Sequence, residues 1–233
     1  MPFKLNIDEE RIKQIIRRVQ LSLNKASNRL ENDYGINNGH GMAKWSFIYS
    51  HQIGGHADEI FSFITNRRGW KVTGLVDIEN KTLFFFLSQK NLEDRQNGKI
   101  QSKAMYYISA LSGIINEDFE SELDENQRRA IQLSWGLDFD EEEARQIYNE
   151  MLSACPCEIE RFCVISLDMV RYELNSVKAN VLNANFDVLY DEDWSNYITV
   201  PSNDDIEEES RQQEQQQHDM AVPLKRKQKK VSD

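Results

Sequence analysis

Residues 69–90 read GWKVTGLVDIENKTLFFFLSQK, the densest β signal in the chain, and the reading of this stretch decides the fold. From Lys71 to Ile78 apolar residues alternate, with Val72, Gly74, Val76 and Ile78 on one side. Side chains in a strand alternate with period two, so this is a half-buried strand. From Thr82 to Ser88 the pattern changes. Leu83 to Leu87 place bulky apolar groups on both faces, which suits a strand covered on both sides. Glu79-Asn80-Lys81 is the polar break between them, so the sequence predicts a hairpin. A two-residue Asn80-Lys81 loop sets Val76 opposite Phe85 and Gly74 opposite Leu87. One face is then wholly apolar, and the other carries Asp77 and Ser88 among Leu75, Phe84 and Phe86. A one-residue slip would exchange the faces.

Working outward, residues 6–30 predict a helix. Ile12, Ile15, Ile16, Val19, Leu23, Ala26 and Leu30 recur at three- and four-residue steps and form one apolar stripe. Asn6 or Asp8 can cap its start. The opposite face, with Lys13, Arg17, Lys25 and Arg29, reads as solvated. Residues 34–56 are glycine-rich loop, with Trp45, Phe47, Ile48 and Tyr49 as one short strand or turn. Ala57 to Arg67 is expected to be a short helix, with Gly69 ending it and launching the hairpin. Ser88 to Gly98 reads as a charged connection. A helix follows over Lys99–Asn116, a less regular one around Glu125–Ser134, and a third over Glu141–Ser153 behind the Asp140 cap. Arg161–Leu174, Ser176–Leu182 and Phe186–Tyr190 predict further strands, with Trp194 and Tyr197 as anchors.

The expected fold class is α+β: a mostly antiparallel sheet with a central hairpin at 70–88, covered by helices. The expected organisation is a single domain over 1–200, with the N-terminal helix 7–30 packed on it. Residues 201–233 are Glu/Gln-rich and then basic, and are expected to be disordered.

The formal net charge is −11, and eight acidic and six basic residues in the last 31 leave about −9 to the body. An acidic body disfavours a general nucleic-acid surface, so the expected partner is protein, with nucleic acid reachable only through the basic run at 225–230. No apolar run is long enough to span a membrane, no secretory leader is visible, and three closely spaced cysteines suit a reducing, cytoplasmic compartment. No cofactor is expected, since neither a P-loop nor a GxGxxG element occurs.

Four constellations could carry chemistry. The helix–strand–strand–helix order around the hairpin resembles the core of the PD-(D/E)XK nucleases, which hold a metal with strand-end carboxylates beside a lysine. Asp77 (the metal-ligand candidate), Lys90 and Glu59 stand at matching places, but Ser88 occupies the position of a required acid. His40, His51, His56 and Asp58 cluster without the spacing of a zinc motif. Cys155, Cys157 and Cys163 lack a fourth ligand and the CxxC spacing. Asp187, Asp191, Glu192 and Asp193 form an acidic run at a strand end. Whether the chain is an enzyme is left open by these residues.

Three patches carry a resemblance: residues 57–76 with their Gly-Trp turn, LFFFLSQKN with the later YYISAL, and DEDWSNYI near the end. Together, over about residues 40–200, they resemble an uncharacterised family of bacterial and phage proteins, mainly of low-GC Gram-positive hosts. The resemblance implies a bacterial cytosolic setting, of the host or of a mobile element, and transfers no site residue. The functional expectation is a non-enzymatic binding or regulatory protein. The alternative is a divergent metal-dependent nuclease using Asp77 and Lys90.

Overall fold

A computed structural model describes residues 5–33, 40–53, 60–67, 69–100, 105–121 and 139–199. All lie in one compact unit, Met1–Thr199. The sequence expectations for 125–134 and for the tail fall outside the described residues.

The elements run α1 (Glu9–Asp33), α2 (His40–His51), β1 (Ile60–Arg67), β2 (Trp70–Asp77), β3 (Thr82–Ser88), α3 (Gln89–Gln96), α4 (Tyr107–Ile115), α5 (Glu117–Ser121), α6 (Glu141–Met151), β4 (Arg161–Val170), β5 (Glu173–Leu182) and β6 (Val188–Asp193), closed by a 3₁₀ turn at Ser195–Tyr197. The strands form one sheet in sequence order, β1 to β6. Every neighbouring pair is antiparallel except β3–β4, which is parallel and bridged by the helical crossover α3–α6. The α+β class and the mostly antiparallel sheet are as expected. A parallel pair needs a long crossover, and here it is supplied by helices.

Two cores lie on the two faces of the sheet. Leu75, Phe84, Phe86, Cys163 and Ile165 face α1, α2 and Trp194. Val76, Leu83, Phe85, Leu87, Phe162 and Val164 face α3, α4 and α6. β3 is buried from Thr82 to Leu87, as its unbroken apolar run requires. The hairpin register differs from expectation by two residues: Val76 pairs with Leu83 and Asp77 with Thr82, across a four-residue turn. A slip of two preserves the faces, so the predicted segregation of polarity holds. Lys81 takes the left-handed conformation, at φ 48°.

Three local expectations are corrected. Residues 60–67 are a strand, not a helix. Ile60, Phe61 and Ile64 fit helical spacing, but Ile-Phe-Ser-Phe-Ile-Thr also alternates, and its β-branched and aromatic content decides the outcome. Gly69, at φ 86°, lies in the turn into β2. Residues 40–51 are a helix, because Ile48 is fully buried in the core that α1 lines. Packing overrides weak propensity there. Residues 89–96 are also a helix, N-capped by the Ser88 hydroxyl, which accepts from the Asn91 N–H. Leu92 is its one buried residue, so no apolar stripe marks it. Asn97 is the C-cap of α3.

The predicted stripe of α1 is buried from Ile12 to Ala26, Leu30 lying outside the described side chains, and Asp8 is the residue that caps its first turn. Asp140 caps α6 by accepting from the Glu142 and Glu143 N–H groups. At the far end of β4 and β5 the ladder stops at Val164 and Asn180, and Asn116 bridges the strands beyond it. Its amide donates to the Phe162 and Leu182 carbonyls and accepts from the Phe162 N–H.

Candidate functional site

Asp77 ends β2 on the face covered by α1 and is fully buried. Both its oxygens accept from the Arg11 guanidinium, at 3.0 Å each. One also accepts the Asn80 N–H and the other the Asn80 amide, both at 3.1 Å. Arg11 additionally reaches Glu79 at 2.7 Å. Its carboxylate is thus engaged in holding α1 to the β2–β3 turn. A signal for this pair was present in the sequence. Stepping back four residues from Ile15 on the α1 stripe reaches Arg11, while Asp77 shares a strand face with Leu75. A lone charge on each of two apolar faces calls for an opposite charge between them.

Lys90 is exposed on the first turn of α3. Asp77 pairs with Thr82, the first residue of β3, whereas Lys90 follows Ser88, the last. Six residue steps separate those ends, about 20 Å along a strand. The structure does not bring Asp77 and Lys90 together. Ser88 serves as a helix cap, and Glu59 lies outside the described residues.

The other clusters resolve into local roles. His51 is buried at the end of α2, His40 begins that helix, and His56 and Asp58 lie outside the described residues. The three cysteines are free. The Cys155 thiol donates to the Cys157 carbonyl. Cys163 is buried in the core, and burial pushes its thiol pKa well up. No group of three metal-ligating side chains occurs among the described residues. In the acidic run, Asp187 closes the β5–β6 turn with Asn183. Glu192 accepts from the Leu5 N–H, the Tyr190 hydroxyl and the Trp194 indole. Asp193 caps the final turn, and the Ser195 donors lower its pKa.

Two features were not foreseen. The first is a fork in the sheet. β2 and β3 pair only through Leu75–Asp77 and Thr82–Phe84, then separate. Tyr49 of α2 packs against both cores, and its carbonyl accepts from the Thr73 hydroxyl. Tyr107 and Tyr106 lie against each other with rings tilted by 50°, and the Arg95 guanidinium lies 3.5 Å over the Tyr106 ring. Burial raises the pKa of all three phenols, so at neutral pH they are neutral hydroxyls, poor bases and poor nucleophiles. A phenol pKa raised in the fold contributes stability that is fully present below the unfolded value, roughly 10, and is lost as pH rises from there through the higher folded pKa. We expect alkaline unfolding to coincide with phenolate absorbance of these tyrosines; ionisation with the fold intact would contradict it.

Gln52 follows the last residue of α2, three residues on from Tyr49. It is fully buried, and its amide has no hydrogen-bond partner among the described residues. An unpaired buried amide costs roughly 1–3 kcal/mol. Gln52→Met is therefore expected to raise stability by about 1 kcal/mol in a urea melt. A loss instead would show that the amide is engaged.

The second feature is the pair of sheet edges. β6 presents Asp191, Glu192 and Asp193, charges that discourage strand addition. β1 presents Ile-Phe-Ser-Phe-Ile-Thr, with no charge before Arg67 and no proline. Phe61 is 39% exposed and Ile64 47%. Among the described residues no strand pairs with its outer side.

One family model, described as "Family of unknown function (DUF5986)", matches residues 4–233. No curated protein and no solved structure matches the chain. Among the described residues no helix is long and apolar enough to cross a membrane.

Proposed function

This chain belongs to that family of unknown function, and from there we propose that it works through protein contacts, accepting an added β-strand along the outer side of β1. One observation carries the reading: of the two edges of the sheet, β6 is defended by charge and β1 is not. An edge strand offers a row of backbone donors and acceptors, and natural edges of this composition are normally blunted. Strand addition uses that row for affinity and the alternating side chains for specificity. Phe61 and Ile64 lie on opposite faces of β1 and would both be covered by an added strand. The acidic body supports a protein rather than a nucleic acid as the partner. Three free cysteines support a reducing, cytoplasmic setting, and the resemblance of the sequence adds a bacterial host or a mobile element.

A photoreactive phenylalanine analogue at position 61 of the full chain tests this in cells, with the same group at position 191 on β6 as the control. The expected result is protein crosslinks from position 61 and few from 191. Crosslinks to nucleic acid, or none from position 61, would sink the proposal.

A further inference from the structure

Two of the free cysteines, Cys155 and Cys157, flank Pro156 in the connection from α6 to β4, and the chain bends at Pro156 and Cys157. The Cys155 Sγ lies 3.2 Å from the Cys157 carbonyl oxygen, to which it donates. The sulfur atoms are neighbours: burial pushes the Cys155 thiol pKa up, and the Cys157 thiol beside it adds to the rise. Both residues are half-buried and pack with Tyr148 and Leu152 against the core that α4 and α6 cover. We infer that this pair is a soft-cation site, holding one copper(I) ion between the Cys155 and Cys157 sulfurs. The β1 edge plays no part in it.

The bend is held at both ends. The Cys155 N–H donates to the Leu152 carbonyl at 2.9 Å, and the Glu160 and Arg161 N–H groups donate to the Lys81 carbonyl at 3.0 and 3.3 Å. Pro156 fixes its own φ near about −65°. A ligand pair set in place beforehand loses little freedom when it closes on an ion. The number of ligands selects the ion. A structural zinc site takes four, and among the described residues no third His, Cys, Asp or Glu joins the pair. Copper(I) is a soft ion that thiolates select, and two of them in line satisfy it. Binding moves no electron: two S–Cu bonds form, and thiol protons leave to solvent. The surrounding charge suits a cation. Lys81, whose charge is felt at Cys157, is ion-paired with Glu160, and Glu158 adds negative charge near Lys81 and Tyr148. The field at the bend is therefore negative, which draws a cation in.

Anaerobic titration of the full, reduced chain with copper(I) buffered by bicinchoninate tests this. One equivalent is expected to bind in the presence of excess glutathione, with proton release and a sulfur-to-copper charge-transfer band in the ultraviolet. The bound ion is expected to shield Cys155 and Cys157 of the unmodified chain from iodoacetamide, read by peptide mass, so this arm needs no variant. Cys155→Ser and Cys157→Ser are each expected to lower copper(I) affinity by more than the roughly 10–100-fold that losing a partner outside the ligand set costs. Zinc is expected to bind the unmodified chain no better than either variant. Equal alkylation of both cysteines with and without copper(I), loss of the ion to glutathione, or full affinity in either serine variant would overturn the inference.

Discussion

Asp77→Ala is expected to lower the stability of the fold by about 3–5 kcal/mol, the usual cost of removing one member of a buried ion pair. The cost arises because Arg11, itself only 9% exposed at its side chain, loses its buried carboxylate, while Glu79, its other acidic contact, is 69% exposed. The complementary variant Arg11→Ala strands Asp77 with only the Asn80 groups, so it should cost at least as much. Glu79→Gln should cost under about 1 kcal/mol, because an exposed pair is screened by water. Replacing both members, as in Arg11→Met with Asp77→Leu, removes the uncompensated charge and should recover most of the loss. Urea melts followed by tryptophan fluorescence measure all four. Near-equal small effects would mean that the pair is not the tie between α1 and the hairpin. A divalent-metal-dependent nuclease activity abolished by Asp77→Ala at full stability would instead assign Asp77 a catalytic role.

Phe85→Ala is expected to cost a similar amount, about 3–5 kcal/mol, through a different mechanism. Phe85 is fully buried and meets Phe63, Tyr107 and Phe162 edge-on, with ring centroids 5.6–6.4 Å apart. Truncation removes the ring around which β1, β3, β4 and α4 meet. Gly74 belongs to the same packing. A Cβ there would approach the Phe63 ring to 2.7 Å and the Phe85 ring to 3.1 Å. Gly74→Ala should therefore cost about 1–3 kcal/mol by overpacking. In the Phe85→Ala background one of the two obstructing rings is gone, so the double variant should be less destabilised than the sum. Additive losses would show that the glycine and the ring do not share one space.

Much of this architecture was legible because hydrophobic period is a strong signal where a face is broad. The α1 stripe from Ile12 to Ala26, the β3 run, and Ala144, Ile147 and Met151 of the Asp140-capped helix are buried as their spacing predicts. The two faces of the hairpin were right even though its turn was misjudged, because a two-residue slip leaves side-chain parity unchanged. The failures share a cause. Residues 60–67 fit two periods at once, α2 is held by the core around Ile48 rather than by a stripe, and α3 buries Leu92 alone. Short segments with one or two buried residues leave little pattern to read.

The candidate site divides in the same way. Asp77 and Lys90 looked adjacent in sequence logic because both flank the hairpin, but its strands run in opposite directions and send them to opposite ends. Arg11 was legible as an exception to its own stripe and was passed over. The fork between β2 and β3 was invisible, since nothing in residues 70–88 says that pairing stops after three residues. The open edge became apparent only once β1 was a strand.

Among the described residues the outer side of β1 is an open edge, and the proposed function closes it with an added strand. Residue-resolved amide exchange of the full chain, alone and crosslinked through position 61 to its protein partner, measures this directly. In the chain alone every second amide of β1, those not bonded to β2, should exchange rapidly, while buried β3 stays protected. In the crosslinked complex the same β1 amides should become protected, and the β6 edge should not change. Protection of those amides in the chain alone would mean that the edge is already covered, and would contradict an added strand there.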